Sequence, residues 1–193
     1  RFAPQVVKLK SLVSCVSEPK SFIMTVNAGE TPADHWVHDA EQGGGRIIGE
    51  GCHFVDLLRF LAGSPISKVH AVMMGSAPGL LVRDDKVTIT LEFADGSIGT
   101  VHYLANGHRS YPKERLEVFC GGGVIELNNF RKMTGYGWPG FRKMNLRHQD
   151  KGHAAAVGAF VHAIEHGQPS PIPFDEIVEV TQATFDAVDQ MRA

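Results

Sequence analysis

Apolar residues recur at helical spacing in four segments of the chain. In residues 3–16, apolar pairs alternate with Lys and Ser until the pattern ends at Ser-Glu-Pro-Lys. Within residues 43–63 the apolar positions have the same spacing and stop at Gly63, which Pro65 soon follows;. The pattern predicts helices over 3–16, within 43–63, over 153–167 and, after the run PSPIP, over 174–193.

Six other segments are rich in β-branched and aromatic residues and are bounded by Gly, Pro or Asp, which is typical of strands. The alternation is clearest in residues 86–93, where Val, Ile, Leu and Phe share one side and polar residues share the other;. Asp95-Gly96 and Gly121–Gly123 are typical of hairpin turns. The predicted strands are 20–29, 66–75, 86–93, 97–105, 114–121 and 123–129.

Two segments show neither period. Residues 30–42 are polar apart from Trp36, and we interpret them as a loop. Residues 131–152 are rich in Gly, Arg, Lys and aromatic residues, a mixture that can stack on RNA;. The rest of the chain is acidic and no predicted strand carries an aromatic RNA-binding motif, so we interpret this segment as a solvated, irregular loop.

The order of the elements is helix, strand, helix, five strands and two helices. It predicts an α+β fold with an open, mostly antiparallel or mixed sheet and helices on one face. We expect residues 1–193 to form a single domain. Because the uncovered face of such a sheet generally meets a partner, we also predict a homo-oligomer through this face.

Charge and cysteine content narrow the classes of function. With 19 Lys and Arg against 21 Asp and Glu, the chain has no excess of positive charge for nucleic acid or a membrane surface, and a small, weakly charged substrate suits it better;. Three isolated cysteines favour thiols in a reducing compartment, the cytoplasm;. No bilayer-spanning stretch or signal-peptide core is visible. Because the chain begins inside a predicted helix without Met, we expect a fragment of a longer protein.

The segment GGGRIIGEGCHFVDLLRFLAG, residues 43–63, carries the strongest candidate chemistry. On a helix, Glu50 and Asp56 flank His53, which would favour the imidazolium and orient a ring that exchanges protons with a substrate hydroxyl. The glycines of the segment could let a ligand approach the backbone at the start of the helix. The alternative is a surface ion-pair cluster preceded by a simple glycine turn.

Asp56 is also a candidate for substrate binding, together with two residues outside this helix, Trp36 and Arg46. Trp36 could form a wall of a sugar pocket, because sugars present apolar C–H faces, or it could simply anchor its loop to the core. Arg46 could bind an anionic group of the ligand, or could pair with Asp34, Asp39 or Glu41.

A metal site is a further alternative. His35 and His38 lie in one loop, and Cys52 and His53 follow, but these spacings match no closed zinc pattern;. We therefore expect no metal, and we interpret Cys52 as a small buried residue.

The segment 43–63 resembles the pattern GGG-x-L-x-D-x-G-x-H-x-x-D-L-L of the C-terminal domain of the Gfo/Idh/MocA oxidoreductases, the glucose–fructose oxidoreductase and inositol dehydrogenase family. The resemblance covers nearly the whole chain. RFAP is similar to the start of the linking helix, KVTITLEFADGSIGTVHY to the central hairpin and PSPIPFDEIVEVTQATFDAV to the closing helix.

The resemblance implies roles for particular residues. His53 matches the family histidine that shuttles the proton of the substrate hydroxyl while hydride moves to or from NAD or NADP. The family aspartate four residues earlier is replaced by Gly49, and the acid stands one position later at Glu50. On a straight helix this shift turns the side chain by about 100°.

The resemblance also implies what this chain lacks. In the family an N-terminal Rossmann domain binds the cofactor and supplies a lysine from a Glu-Lys-Pro motif, but here no GxGxxG follows a predicted strand and no Glu-Lys-Pro occurs;. We expect the substrate-binding and dimerisation domain of an oxidoreductase acting on a sugar, sugar-nucleotide or cyclitol, inactive by itself. The alternative is a non-catalytic sugar-binding or dimerisation module of the same fold.

Overall fold

The computed structural model describes residues 1–39 and 41–192, in which four α-helices accompany one eight-stranded sheet. A π-helical turn, Ile47–Gly51, leads directly into the second helix. The helices are α1 Pro4–Val13, α2 Cys52–Ala62, α3 His153–Glu165 and α4 Phe174–Arg192. The strands are β1 Ser21–Asn27, β2 Ile66–Met73, β3 Lys86–Phe93, β4 Ile98–Leu104, β5 Glu114–Cys120, β6 Gly123–Asn128, β7 Lys132–Tyr136 and β8 Lys143–Asn145.

The sheet is mixed and mostly antiparallel. Its strand order is β2-β3-β4-β1-β5-β6-β7-β8, and only the β1–β4 pair is parallel among the described strands. Both predicted hairpin turns are present: Gly96 between β3 and β4, and Gly121 and Gly122 between β5 and β6, have the positive φ that such turns need;. The α+β prediction is confirmed.

The prediction of an irregular loop over residues 131–152 is wrong, because β7 and β8 extend the sheet there. These strands have five and three residues, and within them only Met133 is fully buried, so the period of two is hardly visible in the sequence. Trp138 and Phe141, which suggested nucleic-acid stacking, are partly buried and pack against the core instead.

One face of the sheet forms the core with α1, α2 and α4. In β3 the predicted alternation is confirmed, because Val87, Ile89, Leu91 and Phe93 are all buried. The helix layer lies close to the strands: a Cβ added at Gly99 of β4 would stand 2.9 Å from a methyl carbon of Leu58 in α2.

The other face of the sheet is open in the described chain. In the strand register, Ser21 of β1 lies opposite Ile98 of β4 on one side and opposite Phe119 of β5 on the other. Val124 of β6 lies opposite both Phe119 and Tyr136 of β7. Ile98, Phe119 and Tyr136 thus lie in one row across the sheet, with 52%, 39% and 54% of their surfaces exposed. We call these three residues the open-face row.

Candidate active site

The start of the site helix is wider than an α-helix. The Cys52 N–H bonds to the Ile47 carbonyl five residues back, which makes Ile47–Gly51 a π-helical turn. The sequence predicted a straight helix here, so the rotation of about 100° per residue does not apply to Gly49 and Glu50. At Gly51 the fit is close, since a Cβ would stand 3.3 Å from Cγ2 of Ile47.

The three glycines before this turn serve the chain's own folding. A Cβ at Gly43 would lie 2.5 Å from the backbone of Trp36 and Val37, while Gly44 and Gly45 have φ of +68° and +92°. At Gly43 the space beside the backbone is therefore filled by the chain itself, whereas Gly44 and Gly45 line a small cavity, and the approach of a ligand to them stays a prediction. The backbone that approaches them belongs to the preceding loop, whose Val37 carbonyl accepts a hydrogen bond from the Gly45 N–H at 3.0 Å.

Glu50 is held by three hydrogen-bond donors. Lys113 Nζ donates to its Oε1 at 2.8 Å, Arg46 Nη2 donates to its Oε2 at 3.2 Å, and the Tyr103 hydroxyl donates to the same Oε2. Burial by itself would raise the pKa of Glu50, but the hydrogen bonds from Lys113, Tyr103 and Arg46 outweigh it and lower that pKa to about 2;. Glu50 therefore stays ionised near neutral pH and ties the π-turn to β4.

Tyr103 is the buried partner of this carboxylate. Its side chain is fully buried on the helix side of β4, and burial, followed by the hydrogen bond to Glu50, raises the pKa of its phenol far above the usual value. The phenol consequently remains protonated and donates to Glu50 throughout the physiological range of pH.

Arg46 has internal partners, and none is an acid proposed from the sequence. Its Nη1 donates to the Gly29 carbonyl at 2.6 Å and its Nη2 to the Ala28 carbonyl at 3.3 Å. Asp85, which is 1% exposed, lies 3.9 Å from its Nη1, and Glu50 completes the set. Among the described residues the alternative pairing with Asp34, Asp39 or Glu41 does not occur, and Arg46 does not line the cavity described below.

Three predicted site residues meet at one cavity. A cavity of about 350 Å³ is lined by Glu50, His53 and Asp56 from the start of α2. Its other walls come from the start of the chain, from β5, from the β6–β7 turn and from the start of α3. The polar and aromatic side chains on those walls are Arg1, Glu114, Phe130, Lys151 and His153.

His53 is exposed to this cavity, but the flanking carboxylates do not hold it. Asp56 accepts from Arg1 Nη2 at 2.7 Å and from Arg1 Nε at 3.0 Å, and the oxygens of Glu50 bind the donors described above. Within residues 1–39 and 41–192 neither acid hydrogen-bonds to His53, contrary to the expected arrangement. His53 therefore lines the cavity as an exposed side chain that neither neighbouring carboxylate binds.

Trp36 does not line the cavity. It lies in a 3₁₀ turn, Trp36–His38, with 60% of its surface exposed and its ring centroid 5.7 Å from that of His35. The role of Trp36 in substrate binding stays a prediction, because the loop would have to meet a ligand that extends beyond the cavity.

Sequence reasoning missed the cavity residues Glu114, Phe130 and Lys151. A signal for Glu114 was present: it shares its strand parity with Leu116 and Val118, which places a carboxylate on the buried face;. No comparable signal marked Phe130, whose φ of +48° is rare for a bulky side chain;.

One GxGxxG spacing occurs, at Gly135, Gly137 and Gly140. It lies in β7 and the connection to β8, and a strand rather than a helix follows it. Because a phosphate-binding loop of this type opens a helix, these glycines do not form one. Gly135 serves packing, since a Cβ there would stand 2.8 Å from Phe141.

The described residues contain no group of three or more His, Cys, Asp or Glu side chains arranged to hold a metal ion. Of the helices in residues 1–39 and 41–192, none has the length and apolar character that crossing a membrane requires.

The chain is thus an α+β domain with an open sheet and with a polar cavity at the start of the helix that carries His53. The sequence profile of the GFO/IDH/MocA C-terminal domain matches residues 16–126, and the chain belongs to this family. No curated protein sequence matches the chain.

Solved structures confirm the fold. The chain is similar to levoglucosan dehydrogenase in complex with NADH and levoglucosan, with a TM-score of 0.80 at 20% identity over 100% of this chain and 62% of that one. For aldose–aldose oxidoreductase from Caulobacter crescentus, complexed with glycerol, the TM-score is 0.80 at 16% identity, covering 100% and 59% of the two chains. For UDP-N-acetylglucosamine 3-dehydrogenase from Acidithiobacillus ferrooxidans, it is 0.74 at 18% identity, covering 99% and 59%.

The chain spans about three fifths of the length of the solved structures that it matches, with coverage of 59%, 63% and 59% for three of them. Several of the matched structures are oxidoreductases or dehydrogenases by name. The matches also include structures solved with NAD or NADH.

Proposed function

We propose that residues 1–193 form one substrate-binding and oligomerisation domain of a cytoplasmic, NAD(P)-dependent oxidoreductase acting on a secondary hydroxyl or ketone of a sugar, sugar-nucleotide or cyclitol. The observation that carries this proposal is the exposed His53 on a 350 Å³ cavity lined by both acidic and basic side chains. The mixture of donors and acceptors suits a neutral polyhydroxylated ligand. Family membership and the sugar dehydrogenases among the structural neighbours support it.

In this proposal His53 moves the proton of the reacting hydroxyl. A neutral imidazole accepts it when the alcohol is oxidised, and an imidazolium returns it when the ketone is reduced. Glu50 keeps its negative charge beside this site, and its role is electrostatic because its pKa of about 2 leaves no proton to exchange near neutral pH. Asp56 holds Arg1 on the cavity wall through their ion pair.

A nicotinamide cofactor, NAD or NADP, supplies the hydride acceptor or donor when it is bound. Within residues 1–39 and 41–192 no loop with the GxGxxG spacing leads from a strand into a helix, so the residues present fit the substrate side of the reaction;. We assign the cofactor to a Rossmann domain of the parent protein, and we expect the isolated chain to be inactive.

The exposed face of α3 is the surface we assign to that domain. Val157, Phe160, Val161 and Ile164 share one side of the helix and are 44–65% exposed;. The helix begins at His153, which lines the cavity. A domain docked on this apolar face would therefore close the cavity beside the reacting groups.

The parent enzyme should reduce a nicotinamide cofactor with at least one member of a panel of cyclitols, aldoses and sugar nucleotides. The measurement is the absorbance of the reduced nicotinamide with NAD and NADP in turn. Binding of a panel member without turnover would favour the non-catalytic sugar-binding module. That alternative is favoured by one observation, the replacement of the family aspartate by Gly49 with Glu50 tied to three internal donors. If the parent enzyme neither binds nor turns over any member of the panel, both proposed functions are contradicted.

The open-face row supports dimerisation through the sheet. We expect the chain to elute as a dimer and Phe119→Glu to yield monomers at the same concentration, because a carboxylate in the middle of an apolar row cannot be buried without a partner. Size-exclusion chromatography with light scattering measures this. Phe185→Glu, at an exposed position of α4 with 43% of its surface accessible, is the matched control and should leave the dimer intact. A monomeric wild-type chain, or a Phe119→Glu dimer, would contradict this interface.

A further inference from the structure

A buried carboxylate with a free oxygen lines the cavity. Glu114, the first residue of β5, is 3% exposed, and its Oε1 accepts a hydrogen bond from Lys151 Nζ. Its Oε2 has no hydrogen-bond partner among residues 1–39 and 41–192. A buried acceptor without a hydrogen bond destabilises the folded chain, so a group that persists in this state requires an explanation.

The backbone does not need this carboxylate. The Glu114 N–H donates to Asn129 Oδ1 at 2.9 Å, and the Glu114 carbonyl accepts from the Asn129 N–H at 2.7 Å. Asn129 therefore satisfies both backbone groups of Glu114. The carboxylate of Glu114 takes no part in joining β5 to the β6–β7 turn.

The side chains next to Glu114 supply hydrogen-bond donors and an aromatic ring, the groups that bind the hydroxyls and the C–H face of a sugar. Lys151 has three N–H donors, of which Glu114 uses one, and its Nζ lies 5.7 Å from the centroid of the Phe130 ring;. The φ values of Asn129 and Phe130, +50° and +48°, belong to a turn closed by the Arg131 N–H on the Asn128 carbonyl at 3.0 Å. A bulky residue is strained in this conformation, which here places an aromatic ring on the cavity wall;.

We propose that Glu114 and Lys151 form a subsite for two adjacent hydroxyl groups of the substrate. One hydroxyl donates its hydrogen to Glu114 Oε2, the neighbouring oxygen accepts from Lys151 Nζ, and Phe130 contacts the C–H face of the ring. The subsite orients the part of the ligand that does not react, and thereby selects which carbon is presented to His53. The inference rests on the proposed function, since it names the substrate chemistry of the same cavity.

The test measures binding of methyl β-D-glucopyranoside and its monodeoxy analogues to the 193-residue chain by saturation-transfer NMR titration. We expect the wild-type chain to prefer the parent glycoside over at least one deoxy analogue. Glu114→Gln should weaken binding of the parent glycoside about tenfold or more and remove that preference. Lys151 retains the amide oxygen, so the NH2 group, a donor, replaces the oxygen that accepts from the hydroxyl;. Lys151→Met should weaken binding of the same ligand. If Glu114→Gln fails to fold, Glu114→Asp, which keeps the charge, takes its place in the test.

Glu117→Gln is the matched control. It lies in the same strand on the open face, where it pairs with Arg115 at 2.9 Å, and it should leave glycoside binding unchanged. If His53→Ala alters glycoside affinity while the Glu114 and Lys151 variants bind like the wild-type chain, the subsite is wrong and the proposed function stands. If no glycoside binds the wild-type chain, the subsite is wrong for this class of sugar, while the turnover test with cyclitols, aldoses and sugar nucleotides still decides the proposed function.

Discussion

The variant His53→Ala of the parent enzyme should lose roughly 10²- to 10⁴-fold in kcat, while the Kd of the nicotinamide cofactor changes little. This range is the usual contribution of a positioned group that transfers a proton. The imidazole lines the cavity, and Glu50 and Asp56 are occupied by other donors, so in the described residues neither flanking acid is free to take over the proton transfer. Binding of the dinucleotide depends on a different domain in our proposal, and removal of one ring should not affect it.

Steady-state kinetics and a fluorescence titration of the reduced cofactor separate these two effects. His70→Ala is the matched control, because His70 lies on β2 with 56% of its side chain exposed, and we expect wild-type turnover from it. A parallel loss of kcat and cofactor affinity in His53→Ala would indicate a collapsed structure, and unchanged turnover would remove His53 from the mechanism.

The variant Arg46→Met should destabilise the chain by about 3–5 kcal/mol. Arg46 is 8% exposed, and its guanidinium is shared by the carbonyls of Ala28 and Gly29 and by Glu50. Methionine fills much of the same volume but donates no hydrogen bond, so two carbonyls and a partly buried carboxylate lose a donor at once. The measurement is the free energy of unfolding from urea denaturation.

Lys68→Met supplies the comparison for this variant. Lys68 is 59% exposed at the side chain and pairs with Glu92 at 3.7 Å, and such surface pairs contribute less than about 1 kcal/mol;. A loss of similar size in both variants would show that Arg46 is not the internal cross-link that its contacts indicate.

The sequence alone predicted which segments are helices and which are strands, because burial of one face imposes a period on the apolar residues. Strand β3 alternates since one of its faces lies on the core, and α2 ends at Gly63, whose φ of +70° is the left-handed cap that glycine accepts;. The periodicity of apolar residues did not reveal β7 and β8, where too few residues face the core to show a period. It also failed at Ile47–Gly51, because a π-turn changes the hydrogen-bond partner without a distinct pattern of apolar positions.

Partners far apart in the chain were decided by the tertiary structure. The insertion of β1 between β4 and β5 cannot be read from the order of strands, because it depends on which edges meet when the chain collapses. The sequence placed Glu50 and Asp56 beside His53, but Lys113 and Tyr103 take the first and Arg1 the second. A charged side chain withdrawn from water takes the best donor in space rather than the nearest one in sequence. For that reason His53 could be proposed from the segment alone, whereas the cavity that it lines together with Glu114 required the folded chain.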